Sequence, residues 1–370
     1  PAGLPDDEAF FPLGVWFETV VDEADLARDR SFGLNLYVAL AAEERTPLDA
    51  IEARGMHLLV QADEWLGDPR AGHPAIDGWV VYDEADLTYR PGWDDWSGSP
   101  GWNTCEPIQD AGGRCGYTVM EHFSDRVPDG ALRYANYGLD VLELESDAEA
   151  RGFVNGGFQD VVSADHYLFT HPDTADHERR GASYGAVVDR MRALDGHDRR
   201  RQPVWAFVEL GHPFTDESAP TITADQVRSA VWHSIIAGAR GIVYFNHSFG
   251  GPCPTFSVLR EGCDPEMTPA VTELNAQLTE LAPVLNAPFA DGYVTADGPA
   301  AVTAKRGPDG AWYVFAGATT RGAAGGDVTF TVATGSEVEV LYEDRELAVT
   351  DGRFVDTFVD GDAVHVYRVR

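Results

Sequence analysis

The chain has 370 residues, 44% of them hydrophobic and 11% aromatic, enough to bury a large core. Its formal net charge of -34, from 61 acidic and 27 basic residues, repels nucleic acid and anionic membrane surfaces, and both are excluded as partners. The length suits a barrel of about 250–300 residues with a small appendage.

Through about residue 286, apolar strand-like runs alternate with helical patterns, which predicts a parallel α/β architecture. Eight strands are predicted, over 13–17, 34–40, 57–61, 78–82, 132–137, 160–166, 203–209 and 241–246. A helix is expected over 46–54, with Thr46 as N-cap and Pro47 at the first helical position. Others are expected over 182–194, over 223–239 with Val227, Val231, Ile235 and Ile236 at helical spacing, and over 268–285. Two long connections interrupt this alternation, 87–118 after strand four and 248–266 after strand eight. Long ordered loops in a compact domain tend to be functional. Beyond 286 short strands are predicted at 301–305, 312–316, 328–332, 338–342, 353–358 and 363–369, separated by turns such as Pro308-Asp309-Gly310. The expected organisation is a (β/α)8 TIM barrel over 1–286 and an antiparallel β-sandwich over 287–370.

The four cysteines form two equally spaced pairs, Cys105/Cys115 and Cys253/Cys263, one in each long connection. Two local disulfides are expected, each contributing roughly 2–3 kcal/mol in the chain-entropy picture. Zinc is the rival reading, but no Cys-x-x-Cys spacing occurs. Disulfides imply an oxidising compartment, hence secretion. With no leader-like or membrane-length apolar segment in it, the sequence is expected to be a processed or trimmed form. Lys305 is the only lysine, and its late, β-rich position weighs against Schiff-base chemistry.

Two glutamates stand out. Glu84 follows the apolar run Gly78-Trp79-Val80-Val81-Tyr82 and Asp83; Glu209 directly follows Pro203-Val204-Trp205-Ala206-Phe207-Val208. A carboxylate at the C-terminal end of a parallel barrel strand points into the barrel mouth, where TIM-barrel active sites are built. Two facing carboxylates are what glycosidic cleavage needs, one to protonate the leaving oxygen and one to attack or to activate water.

These residues, at strands four and seven, resemble the large clan of retaining (β/α)8 glycoside hydrolases. Two further stretches are similar: Asp160-Val161-Val162-Ser163-Ala164-Asp165-His166-Tyr167 at strand six and Gly238-Ala239-Arg240-Gly241-Ile242-Val243-Tyr244-Phe245 entering strand eight. The resemblance implies Glu84 as acid/base, Glu209 as nucleophile, and a His or Tyr from strand six reaching the nucleophile; Tyr167 is the expected donor to Glu209. It implies no cofactor. Clan members often carry Asn before the acid/base to contact the sugar 2-hydroxyl; here Asp83 stands there, and an acidic neighbour favours protonated Glu84.

Further candidate sugar contacts are Asn35 and Tyr37 on strand two, Asn136 on strand five, His166, and Asn246 and His247 after strand eight. Gln61, Asp63 and Glu64 after strand three are similar, although an acid there also suits a helix start. Trp93, Trp96 and Trp102 in one long loop are candidates for a subsite wall, because an aromatic face stacks on the C–H face of a sugar ring. Trp16 is a candidate pocket floor, whereas Trp79, Trp205 and Trp232 fit core positions. The His-x-His of amidohydrolase-type metal enzymes is absent from strand one, where Trp16-Phe17-Glu18 stands. A structural Ca²⁺ in the acid-rich loops stays open. The expected activity is retaining, endo-type cleavage of a neutral, β-linked polysaccharide or oligosaccharide. The alternatives are a non-catalytic carbohydrate-binding barrel and an inverting or metal-dependent hydrolase.

Overall fold

A computed structural model describes residues 3–88, 115–143, 147–196 and 201–370. Trp93, Trp96, Trp102 and Cys105 lie outside these residues, and with them the Cys105/Cys115 pairing and the proposed tryptophan wall.

Eight parallel strands form the barrel: β1 Leu13–Trp16, β2 Leu36–Leu40, β3 His57–Gln61, β4 Gly78–Asp83, β5 Leu132–Tyr137, β6 Val161–Ala164, β7 Ala206–Glu209 and β8 Ile242–Phe245. Hydrogen bonding runs in the order β6-β5-β4-β3-β2-β1-β8-β7. The ring closes through one parallel bridge, Val162 to Val204, where Val162 N donates to Pro203 O at 3.1 Å and Trp205 N to Val162 O at 2.9 Å. Inside the ring, Trp16, Val38, Leu59, Val80, Tyr134 and Phe207 belong to one apolar cluster. Alternate residues such as Val15, Tyr37, Leu58 and Val208 face outward into a second, larger core beneath the helices. Strands buried on both faces are apolar throughout, which explains why the sequence shows runs rather than alternation.

The helices are α1 Glu23–Ser31, α2 Leu48–Ala53, α3 Ala62–Trp65, α4 Cys115–Ser124, α5 Leu139–Glu143 and α6 Asp147–Val154. They continue with α7 Gly181–Leu194, α8 Ala224–Ala237, α9 Val258–Glu261, α10 Met267–Glu280 and α11 Ala282–Leu285. No described helix is long and apolar enough to cross a membrane. Two expectations are corrected. The residue before α2 is Pro47 and makes no side-chain cap, while the Thr46 hydroxyl is buried without a hydrogen-bond partner. The helix expected over 268–285 is two, because Pro283 has no N–H to continue the ladder.

The C-terminal part is two antiparallel sheets. β10 Ala300–Arg306, β11 Trp312–Ala318, β16 Val364–Val369, β13 Glu337–Val340 and β14 Arg345–Ala348 form one, in the order β10-β11-β16-β13-β14. β15 Arg353–Phe358, β12 Gly326–Val332 and β9 Val294–Asp297 form the other. β9 and β14 were not expected: both are four residues long, with no fully buried position to mark them.

The five-stranded sheet packs on α7 and α8. Trp232 stacks on Phe315 at 5.8 Å, His233 Nε2 bonds Ala318 O at 2.9 Å, and Arg180 Nη1 donates to Thr319 O at 2.8 Å. Lys305 lies in the same interface, 1% exposed, donating to Leu285 O with Nζ 4.8 Å from the Phe289 ring centre.

Candidate active site

Among the described residues of the barrel, three lie in the left-handed backbone region without being glycine: Phe17 (φ 49) just after β1, Ala39 (φ 58) in β2 and Glu84 (φ 51) just after β4. All sit at or near the C-terminal ends of their strands. The strand pairing also shifts register between Val38 and Leu40, and between Val80 and Asp83. Such conformations persist only where the surroundings enforce them, and they gather at functional sites. At Glu84 the enforcement is visible, since its N–H donates to Asn136 O at 2.9 Å.

Asn136 is the hub. Its buried carboxamide nitrogen donates to Asp83 Oδ1 at 3.0 Å and to Asp165 Oδ1 at 2.9 Å, while its oxygen accepts from Ser163 Oγ at 2.6 Å. Ser163 in turn meets the Tyr134 hydroxyl at 2.5 Å. Asp165 also accepts hydrogen bonds from Glu84 and Tyr167. The structure therefore gathers Asp83 and Glu84 from β4, Asn136 from β5, and Asp165 and Tyr167 from just after β6. Asp83, Glu84, Asp165 and Tyr167 are all half-buried, open enough to meet a ligand.

The protonation pattern follows. Burial, then the charges of Asp165 and Asp83, holds the Glu84 carboxyl well above the usual carboxylate range. Burial and Asp165 do the same to Asp83, against the opposing bond from Asn136. Burial also raises Asp165, but the donors Asn136 and Tyr167 and the bond from Glu84 favour its ionised form. Glu84 is thus the protonated member and Asp165 its acceptor. A Cβ on Gly138 would stand 3.3 Å from Glu84 Oε1 and 3.1 Å from Leu87 Cγ, so a side chain there would crowd the carboxyl.

Glu209 is placed differently. At the end of β7 it is 0% exposed, both oxygens bonded by the Tyr184 hydroxyl (2.7 and 2.8 Å) and Oε1 also by Thr170 Oγ1 at 3.0 Å. Burial pushes its carboxyl up to about 7, partly offset by the bonds from Tyr184 and Thr170. The expectation that Tyr167 would serve Glu209 is corrected: Tyr167 serves Asp165, and Tyr184, from α7, serves Glu209. The groups that set the proton affinity of Glu84 are Asp165, Asp83 and Asp86; Glu209 answers to burial, Tyr184 and Thr170. A glutamate expected to face the cleft is instead enclosed.

Other candidates divide. Trp16 sits inside the barrel, edge-on to Phe207 at 5.3 Å, as a floor would. His166 is half-buried beside His171, its centroid 5.9 Å away, and burial followed by the His171 charge lowers its pKa to about 4, so it is neutral. Asp63, raised to about 6 by burial and Glu64, adds negative charge near Asp83. Asn35 is a correction: it precedes β2 at the opposite end of the barrel, bonding Leu13 N at 2.8 Å and Phe11 O at 2.9 Å. Tyr37 is another, because its side chain points outward to Asp29 (2.6 Å) and is fully buried. Asn246 is also buried, spent on Glu18 Oε2 (2.7 Å), Ser257 Oγ (3.0 Å) and the Leu259 amide (3.0 Å). His247 bonds Phe17 O at 3.2 Å and sits among aromatic rings. The Cys253–Cys263 disulfide is formed, with Cα atoms 5.9 Å apart.

Asp165 lies within the strand-six stretch, where its neighbours His166 and Tyr167 are the more conspicuous candidates in the sequence. Tyr184 and Thr170 carried no signal: Tyr184 comes from α7 and Thr170 from the connection after β6, and only the tertiary fold brings them to Glu209.

No protein-family model matches the chain, and no curated protein matches it in sequence. Solved structures match in fold. A family 39 glycoside hydrolase from Bacteroides cellulosilyticus WH2 superposes with a TM-score of 0.60 at 14% identity, over 98% of this chain and 82% of that one. A GH42 beta-galactosidase from G. stearothermophilus gives 0.64 at 10% identity over 99% of each chain. An Anoxybacillus alpha-amylase gives 0.53 at 11% identity, again over 99% of each. At these identities the likeness is one of fold: a (β/α)8 barrel with a C-terminal β-sandwich, shared with glycoside hydrolases of several families.

Proposed function

We propose that the chain is a glycoside hydrolase acting on a neutral, β-linked polysaccharide or oligosaccharide, with Glu84 as proton donor. The observation that carries this reading is the half-buried group of Asp83, Glu84 and Asp165 at the C-terminal ends of β4 and β6. A carboxylic acid kept protonated near neutral pH by burial and like charge is what a departing sugar oxygen requires. The fold likeness to glycoside hydrolases supports the same reading.

In this mechanism the Glu84 proton passes to the glycosidic oxygen as the C1–O bond breaks and its electron pair stays on that oxygen. Asp165, in direct hydrogen bond with Glu84, is too close to it to serve the opposite face of the sugar, where a partner carboxyl about 5–5.5 Å away (retention) or 6.5–9.5 Å away (inversion) is required. Asp165 positions and tunes Glu84. The other strand-end glutamate, Glu209, is the one that attacks C1 in a retaining reaction once it exchanges its Tyr184 bonds for the substrate. Its enclosure favours one second reading, a non-catalytic carbohydrate-binding barrel.

The test is hydrolysis of a panel of neutral polysaccharides by the wild type, Glu84→Gln and Glu209→Gln, each with and without azide. Activity lost in both variants, with Glu209→Gln plus azide giving a glycosyl azide of inverted configuration, supports the retaining pair. Full activity in Glu84→Gln overturns the proposal. Full activity in Glu209→Gln removes the nucleophile from it, and wild-type binding without turnover selects the second reading.

A further inference from the structure

The segment after β8 is built more firmly than a plain connection. Ser248 and Thr255 exchange backbone hydrogen bonds at 2.9 Å each, making a small hairpin, and the Cys253–Cys263 disulfide ties its tip to the end of α9. This braced hairpin carries two large apolar side chains into solvent, Phe249 at 44% exposure and Phe256 at 74%. The other exposed large apolar side chains, Tyr342, Val355 and Val359, lie in the sandwich, so these two phenylalanines are the ones the described barrel residues hold outward, on a braced loop, and they call for an occupant.

The rings are not isolated. Tyr167, bonded to Asp165, lies 5.0 Å from Phe245; Phe245 lies 5.3 Å from His247; His247 lies 5.7 Å from Phe256. An aromatic path thus runs from the carboxylate group to Phe256. His247 meets Phe256 at 83°, edge against face, and most of the Phe256 ring stays uncovered. Beneath it opens a cleft of about 760 Å³ whose lining includes Glu18, Asp25, Arg28, His247, Phe256 and Arg260. That volume lies within the range of small-molecule sites.

The cleft floor is polar and fixed. Arg260 is shared among three carboxylates: Glu18 at 3.2 Å, Asp25 at 3.7 Å and Asp29 at 2.5 Å. Arg28 is paired with Asp25 at 2.8 Å. Among the described lining residues both arginines are paired with carboxylates, which weakens their attraction for an acidic sugar, while hydroxyl groups find both donors and acceptors. An open aromatic face above paired charges suits the two faces of a neutral pyranose.

We infer that the cleft between the C-terminal ends of β1 and β8, roofed by Phe256, is a remote subsite for a neutral sugar residue of a chain whose other end lies at Glu84. The inference rests on the carbohydrate reading of the Glu84 site, but binding and turnover test the two separately.

The experiment is affinity electrophoresis of wild type and Phe256→Ala through gels containing soluble mannan, xylan, galactan, mixed-linkage β-glucan or polygalacturonate. The exposed position of Phe256 leaves the fold intact, and an unchanged melting temperature verifies it. The expected result is retardation of the wild type by a neutral polysaccharide, weakened about five- to tenfold in Phe256→Ala, the range of one aromatic contact. Turnover of a short aryl glycoside is expected to change less than the binding of the polysaccharide. Equal retardation of the two proteins overturns the subsite, as does retardation by no neutral polysaccharide or a preference for polygalacturonate. A wild type that binds without turnover, with binding weakened in Phe256→Ala, upholds the subsite while the hydrolase reading fails.

Discussion

Asp165 governs Glu84 through a charge and a hydrogen bond, and both act in the same direction. Replacing Asp165 by Asn keeps its shape and removes the charge, so ionised Glu84 becomes less costly and its pKa falls. The high-pH limb of kcat/KM, which reports loss of the acid's proton, is then expected to move to lower pH. Asp83→Asn is expected to move it the same way by less, because Asp83 acts on Glu84 more weakly than Asp165 does. A pH profile of the three proteins checks this; a limb that stays put in Asp165→Asn contradicts the assignment. At this scale the sequence makes Glu84 conspicuous, since a carboxylate ending an apolar strand has few other duties. Asp165 ends a similar strand, but two residues with more obvious chemistry follow it. The outward turn of Tyr37 to Asp29 follows from strand parity, and a fully buried hydroxyl needs a partner from a neighbouring helix that a linear pattern does not identify.

Among the elements, α8 does most to join the two parts of the chain. It packs on α7 and on β7, and it meets the sandwich through Trp232 and His233. Its start is closed by a reciprocal capping box: Thr223 Oγ1 accepts from Gln226 N at 3.3 Å, and Gln226 Oε1 accepts from Thr223 N at 3.0 Å. Its end turns on Gly238, at φ 109, where a side chain would be strained and would meet Arg192. Thr223→Ala is expected to cost about 1 kcal/mol in urea unfolding, with an unchanged m-value. The barrel strands and long helices were legible because each repeats one periodicity over enough residues to declare itself. Short elements were not: β9 and β14 have only half-buried and exposed positions, and the break between α10 and α11 turns on one proline.

For the molecule as a whole, buried acids set the pH response. Burial raises Glu18, Asp86 and Glu209 to about 7; for Glu18 the shared Arg260 only partly compensates. A carboxyl whose folded pKa exceeds its unfolded value binds its proton more tightly when folded. Its contribution is full below about 4.5 and is lost as pH rises through about 7. His166 and His233, lowered from 6.5 to about 4 by burial, act oppositely but only below pH 6.5. Between pH 6.5 and 7.5 the histidines no longer oppose the acids; Lys305, lowered to about 7, does, but as one group against three, so the melting temperature is expected to fall across that interval. Calorimetry at fixed ionic strength checks it. The charge of -34 adds self-repulsion that salt screens, so added NaCl is expected to raise the melting temperature at pH 7.5.

Lys305 gives the folded protein an unusual chemical blankness. The only lysine side chain is sealed between barrel and sandwich, its amine donated to Leu285 O and its pKa lowered to about 7 by burial, Arg240 and Arg192. Amine-directed dyes and cross-linkers therefore find no lysine on the native surface. Acylation of Lys305, read by peptide mass after a timed pulse, is expected to be negligible in the native state. It should appear in step with separation of the sandwich from the barrel, making this one amine a built-in reporter of that event.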